Sequence, residues 1–284
     1  MLASNPCGID KRKKISLILR MILEFFSTFI VLFLIAIWFY SIRRESIELL
    51  QLEYENAIPS LHELLQELQP IIIRGVPIPP ILNSLKLAEI PRLNSFPLSA
   101  NTSYTLQTYR THPELVFPDE QAIGLPILEP IVGRTLAKEL SIDTWIKYTY
   151  NDFILELSGY FSILKSIKTS VILGGCGMVR PRSLYTCIIP TEGTYIVSLV
   201  NKRSENFLPK TSWTYKYPSI LSVNDTPLVG EIQFIDVIAR PGTMVIIPCH
   251  CIYSITPKEL GAFHSAVLLE LDSPISNMAN LFLG

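Results

Sequence analysis

The sequence predicts an α+β, mainly β protein preceded by a single N-terminal transmembrane helix. Three observations predict it: an uncharged run of 18 residues from Phe25 to Ile42, a proline-free stretch with helical patterning from Ile131 to Lys168, and recurring Val-, Ile-, Thr- and Tyr-rich runs after Lys168. Composition agrees. Of 284 residues, 49% are hydrophobic and 17% charged, where an ordinary soluble domain carries about 25% charged residues. So much apolar surface excludes a disordered chain. Lys+Arg 24 against Asp+Glu 25 leaves a net charge of -1, which excludes nucleic acid as a partner, because such binders carry a basic excess.

Residues 1–14 read as a short basic tail bearing Lys11, Arg12, Lys13 and Lys14. Residues 15–42 read as the transmembrane helix, whose partner is the lipid bilayer; its uncharged part alone spans about 27 Å at about 1.5 Å per residue. Arg20 and Glu24 stand four apart and can pair along one helix face. Trp38, Phe39 and Tyr40 fall where an interfacial aromatic belt belongs. The run exceeds the roughly 7–15 residues of a signal peptide and ends in WFYSIRR rather than small residues, so it reads as an uncleaved anchor. Five basic residues precede the run, and Arg43 and Arg44 follow it closely. The positive-inside rule then places the N-terminus in the cytosol and the C-terminal domain on the opposite side, a type II-like arrangement.

Residues 43–69 read as a helical stalk with leucines at helical spacing and a break at Pro59. Residues 70–284 form one domain. Its proline-rich beginning, to Pro130, suggests short strands and loops. Helices are expected at Gly133–Leu140 and Asp143–Leu164, with Ser141 as a cap. Strands are expected at Ser170–Leu173, Ser183–Ile189, Thr194–Val200, Glu231–Ile238, Thr243–Ile247, Tyr253–Ile255 and Ala262–Leu271. Turn signals separate them at Gly174-Gly175, Glu192-Gly193, Asn224-Asp225 and Pro241-Gly242. Strands of this length and spacing suggest a β-sandwich or barrel with flanking helices.

Two passages resemble the double-stranded β-helix (jelly-roll) of the cupin superfamily, specifically the JmjC-like 2-oxoglutarate oxygenases. Val171–Val200 (VILGGCGMVRPRSLYTCIIPTEGTYIVSLV) resembles the family's metal strand, glycine turn and co-substrate strand. Arg240–Ile255 (RPGTMVIIPCHCIYSI) resembles the stretch that delivers its last metal ligand, and Gln69–Gly75 is a weaker echo of the opening strand. The resemblance implies a degenerate pocket. It puts the family's two H-x-D ligands on Ser183 and Tyr185, its distal histidine on Tyr253 and its co-substrate lysine on Tyr195. Fe(II) in such enzymes needs two histidines and one carboxylate, and tyrosine ionises only near about pH 10. Metal and cofactors are therefore expected to be absent. Arg180 and Arg182 would border the pocket mouth, where they could hold an anionic group; solvated loop arginines are the other reading.

Remaining motifs are weaker. Cys249-His250-Cys251 could offer ligands, but neighbours on a strand alternate faces, and no C-x-x-C completes a zinc site. Within the resembled fold, pairing the Ser183 strand with the Tyr253 strand would set Cys187 opposite Cys249, as a disulfide or as two buried thiols. Sequons occur at Asn101 and Asn224. Asp119-Glu120 is one acidic pair in a loop, and neither a G-x-S-x-G elbow nor a phosphate loop occurs. The expectation is a membrane-anchored, catalytically inactive JmjC/cupin-like protein that binds a ligand or protein partner, or belongs to an assembly. The alternative is an active membrane-tethered Fe(II)/2-oxoglutarate-type oxygenase with non-standard ligands, through His250 or His264.

Overall fold

The computed structural model describes residues 7–41, 46–99, 103–116, 124, 126–158, 166–209, 213–259 and 261–283. Arg43, Arg44, Asn101 and the Asp119-Glu120 pair lie outside them. The chain divides into two compact units, Met1–Ile42 with Met278–Gly284, and Arg43–Asn277.

In the first unit, helix α1 runs from Cys7 to Ser41. Helix therefore already begins at Cys7, within the basic segment read over residues 1–14. Within α1, Leu17–Trp38 is a 22-residue stretch of mean hydropathy 2.4 with none of it buried against protein. At about 1.5 Å per residue it measures about 33 Å, enough to cross a bilayer. Its few polar groups are satisfied locally, as an apolar solvent demands. Arg20 Nε donates to Glu24 Oε1 at 3.0 Å, and the hydroxyls of Ser27 and Thr28 donate to the Glu24 carbonyl at 2.9 and 2.8 Å.

The second unit opens with a correction to the stalk. Strand β1 (Leu50–Glu53) comes first, then helix α2 (Tyr54–Gln66). Leu50 and Leu52 face inward while Gln51 and Glu53 are exposed, the period of two that makes a strand. Pro59 lies inside α2 and does not end it. Burial of Ala57, Leu61 and Leu65 outweighs the roughly 3 kcal/mol that an interior proline costs. The segment is a wall of the domain, not a spacer.

Strand β2 (Ile71–Arg74) and the short helices α3 (Ser84–Ala88), α4 (Leu106–Thr111) and α5 (Pro113–Val116) follow. Helix α6 (Pro130–Glu139) starts with proline at its first position, where the missing N–H has no intrahelical partner anyway. The second expected helix is divided into α7 (Ile142–Thr149) and α8 (Asn151–Ser158) at Tyr150. Tyr150 is fully buried, donates to the Pro77 carbonyl and meets Tyr54 and Trp145 edge-on at 6.0 and 5.7 Å. Ser141 precedes α7 in a left-handed conformation (φ 53°) and makes no side-chain cap bond, contrary to its expected role.

The remaining strands are β3 (Ser166–Leu173), β4 (Cys176–Val179), β5 (Tyr185–Glu192), β6 (Tyr195–Val200), β7 (Phe234–Ala239), β8 (Thr243–Pro248), β9 (Tyr253–Pro257) and β10 (Ser265–Asp272). Helix α9 (Pro274–Leu283) closes the chain. One sheet has the order β1-β2-β8-β5-β10-β3 and the other β4-β9-β6-β7. From β3 onward the strands pair first with last: β3 with β10, β4 with β9, β5 with β8, β6 with β7, all antiparallel. The two sheets are not closed into one barrel.

The larger sheet is covered on both faces. Met244 and Ile246 of β8 join the helix-side core with Leu61, Leu136 and Ile142, while Val245 and Ile247 join the inter-sheet core with Val197, Leu199 and Ile255. Gly193 turns β5 into β6 at φ +80°, and a β-carbon there would collide with the His264 ring. Two outcomes are expected. Leu61→Ala should cost about 2–5 kcal/mol in denaturant unfolding of the full chain, as for a core leucine, whereas a solvent-exposed spacer would give almost none. Gly193→Ala should also destabilise, by about 1–3 kcal/mol for the left-handed backbone alone, and lower the melting temperature.

Candidate ligand-binding cleft

Where β3 of one sheet and β4 of the other leave the sandwich open lies a cleft of about 300 Å³. Its interior is apolar: Ile172 of β3, Val179 of β4, Ile255 of β9 and Leu268 of β10, with Leu128 from the segment before α6. Its polar groups are Arg180 and Arg182 after β4, Arg134 of α6, Glu270 of β10, Tyr253 of β9 and Tyr215.

Backbone packing places these groups. Helix α6 lies so close on β3 that a β-carbon on Gly133 would stand 2.5 Å from the Val171 carbonyl. The next residue, Arg134, then reaches Glu270, its Nη2 3.4 Å from Oε2, with both side chains partly exposed. The Arg180 guanidinium donates to Glu205 Oε2 at 2.8 Å and lies over the Trp213 ring at 5.9 Å. Val179 pairs with Tyr253 across β4 and β9, which puts that ring beside the first turn after β4. Burial, and then the neighbouring Cys176, Glu270 and Tyr215, hold the Tyr253 phenol well above its ordinary ionisation, so its hydroxyl stays a neutral donor. Burial likewise pushes the Cys176 thiol up to about 12.

Of the residues expected in a shared pocket, Tyr253, Arg180 and Arg182 do line one cleft, and the others stand elsewhere. Tyr185 faces the helices, its hydroxyl donating to the Leu65 carbonyl at 3.4 Å. Ser183 is buried with its hydroxyl 2.8 Å from that of Thr186. Tyr195 is fully buried between the sheets, edge-on to His264 at 5.4 Å, and its hydroxyl has no hydrogen-bond partner among the described residues. Burial raises its ionisation well above the ordinary range. Reading along the chain could not see that Tyr185 of the larger sheet faces the helices while Tyr253 of the smaller sheet joins the inter-sheet core.

Among the described residues no three histidine, cysteine, aspartate or glutamate side chains converge as metal ligands. His264 is buried with Nδ1 3.0 Å from the Ala262 carbonyl, and His250 sits in the turn after β8 at φ 62°. The register expected for a disulfide is not adopted. Cys187 pairs with Ile246, β9 pairs with β4 and β6 rather than β5, and Cys187 and Cys249 carry separate thiols. Arg134, Glu270 and Tyr215 were not anticipated. A signal existed for Glu270, an acid within the otherwise apolar VLLELD run.

No protein-family model matches the chain, and no characterised protein matches it at significant similarity.

The thiols give a direct check. Burial pushes Cys187 up to about 12, and the thiolate is the reactive form, so Cys187 should resist alkylation in the native protein at pH 8. After unfolding without reductant, peptide mass spectrometry should find both Cys187 and Cys249 alkylated. A linked peptide pair would contradict the separate thiols.

Proposed function

We propose that this chain is a membrane-anchored, non-catalytic binding protein whose domain is a degenerate cupin/JmjC-like double-stranded β-helix. The fold reading rests on the nested pairing of eight strands, first with last, split between two facing sheets. A jelly roll has this pattern of two-sheet, eight-stranded wrapping. The anchor reading rests on Leu17–Trp38, and the orientation, N-terminus cytosolic, on the basic residues before it.

The observation that carries the functional reading is the side-chain chemistry of the open cleft. Arg180, Arg182 and Arg134 line it with one tyrosine where the resemblance would have the distal metal ligand. Guanidinium groups do not ligate Fe(II) at neutral pH, since they remain protonated. They do hold planar anions through paired N–H donors. Arg180 is already held by Glu205 and Trp213 before any ligand arrives. Preorganisation of this kind lowers the entropic cost of binding.

The full chain, purified in detergent and supplied with Fe(II) and 2-oxoglutarate, should retain substoichiometric iron after desalting and produce no succinate above a protein-free control. Stoichiometric iron with turnover would overturn the proposal and favour the oxygenase alternative.

A further inference from the structure

We propose that α1 is also a self-association element, pairing within the membrane with α1 of a second copy of this chain. The inference rests on the reading of α1 as an anchor and is independent of the cleft.

The polar groups of the span stand on one stripe. Arg20, Glu24, Ser27 and Thr28 fall within about 100° of arc at 3.6 residues per turn. Val31 and Leu34 continue the stripe, so that Arg20, Glu24, Ser27, Val31 and Leu34 follow one another in alternating steps of four and three. That spacing is the seam of a two-helix supercoil. The whole seam is exposed: the Arg20 and Glu24 side chains by 78% and 62%, Val31 and Leu34 by 55% and 58%. The partly shielded positions Phe33, Ala36 and Ile37 fall on the far side of the helix.

Depth makes this stripe costly in lipid. At about 1.5 Å per residue from Leu17, Arg20 lies about 4.5 Å and Glu24 about 10 Å inside the apolar stretch, with Ser27 near its middle. Charged side chains at such depth face other helices rather than lipid. Arg20 does not snorkel outward to the headgroups. Its Nε donates to Glu24 Oε1 at 3.0 Å, one turn deeper, which draws the guanidinium inward. That contact uses the Nε donor and one carboxylate oxygen. The terminal guanidinium nitrogens and Oε2 have no partner among the described residues, and they retain donors and an acceptor for a neighbour.

Charge complementarity selects a second copy as that neighbour. A stripe bearing one cation and one anion a turn apart is its own complement. In a parallel pair related by a two-fold axis, Arg20 of each helix meets Glu24 of the other, as an isologous contact requires. Two guanidinium groups and two carboxylates then satisfy one another out of the lipid. Ser27, one turn further along the seam, is small enough to let the two backbones approach closely.

Sedimentation equilibrium of the full chain in density-matched detergent should give twice the 32.1 kDa chain mass. Energy transfer between donor- and acceptor-tagged copies in liposomes should report the same pairing. Arg20→Met and Glu24→Met should each weaken association about threefold to thirtyfold, the range of interhelical polar contacts. Phe26→Leu, on the far side of the helix, should leave it unchanged. Mixing the two methionine variants should restore transfer above either variant alone. The Glu24 kept by one chain then meets the Arg20 kept by the other, although neither chain retains its internal pair. A monomeric unsubstituted chain, Arg20→Met or Glu24→Met dimers as tight as the original, or no recovery on mixing would each overturn the proposal. Release of the unsubstituted chain from liposomes by alkaline carbonate would instead overturn the anchor reading.

Discussion

Burial of the larger sheet on both faces is the constraint from which the rest of the domain follows. In β8, Met244, Val245, Ile246 and Ile247 are all fully buried, so neither face can be surrendered to water. At about 25 cal/mol per Å² of apolar surface, a single leucine-sized side chain contributes roughly 1.5–3 kcal/mol on burial. Met244 and Ile246 require the helices, and Val245 and Ile247 require the smaller sheet. This is why α2 tolerates Pro59. The helix supplies Ala57, Leu61 and Leu65 to a face that would otherwise be wet, and losing it would cost more than the one hydrogen bond the proline removes.

The same constraint locates the cleft. Two sheets with a filled interior can admit a ligand only where their edges fail to meet, and β3 and β4 are the edges in question. Elsewhere the interior is occupied by side chains from both sheets, Tyr195 among them. Helix α6 reaches over β3 through the close approach at Gly133, which carries Arg134 to the opening. The polar groups of the cleft are thus brought together by packing of α6, β4, β9 and β10, elements distant in sequence.

Much of the fold was legible because its signals are local. The turn glycines 174, 193 and 242 all have positive φ and stand between strands as their neighbours suggested. The apolar runs at Thr243–Ile247 and Tyr253–Ile255 are strands almost to the residue. The failures are equally physical. The strand Leu50–Glu53 was hidden because its pairing partner, β2, lies about twenty residues on, and leucines spaced along a chain suit either period. Ser141 had the right chemistry for a cap, yet the chain turns through a left-handed conformation there and its side chain makes no cap bond. The chain divides α7 from α8 at Tyr150, a buried residue whose hydroxyl donates to the Pro77 carbonyl, a contact that no helical periodicity encodes.

The site was legible only in part, and the partition has a reason. Arg180, Arg182 and Tyr253 were found because they are near strand ends, where a few residues of uncertainty in register leave a side chain close to the opening. Ser183 and Tyr185 were misplaced because on a strand a shift of one residue exchanges the two faces. Tyr185 consequently serves the helix-side core, not a pocket. The unanticipated pair, Arg134 and Glu270, lies 136 residues apart in sequence, and nothing in either segment announces the other. What a chain could disclose was the anomaly of Glu270 itself. A carboxylate placed on the inward face of an apolar strand costs desolvation unless it finds a partner. An acid in that position therefore implies a cation, an opening to water, or both. Here it has both, Arg134 as its cation and partial exposure to water at the edge of the sandwich.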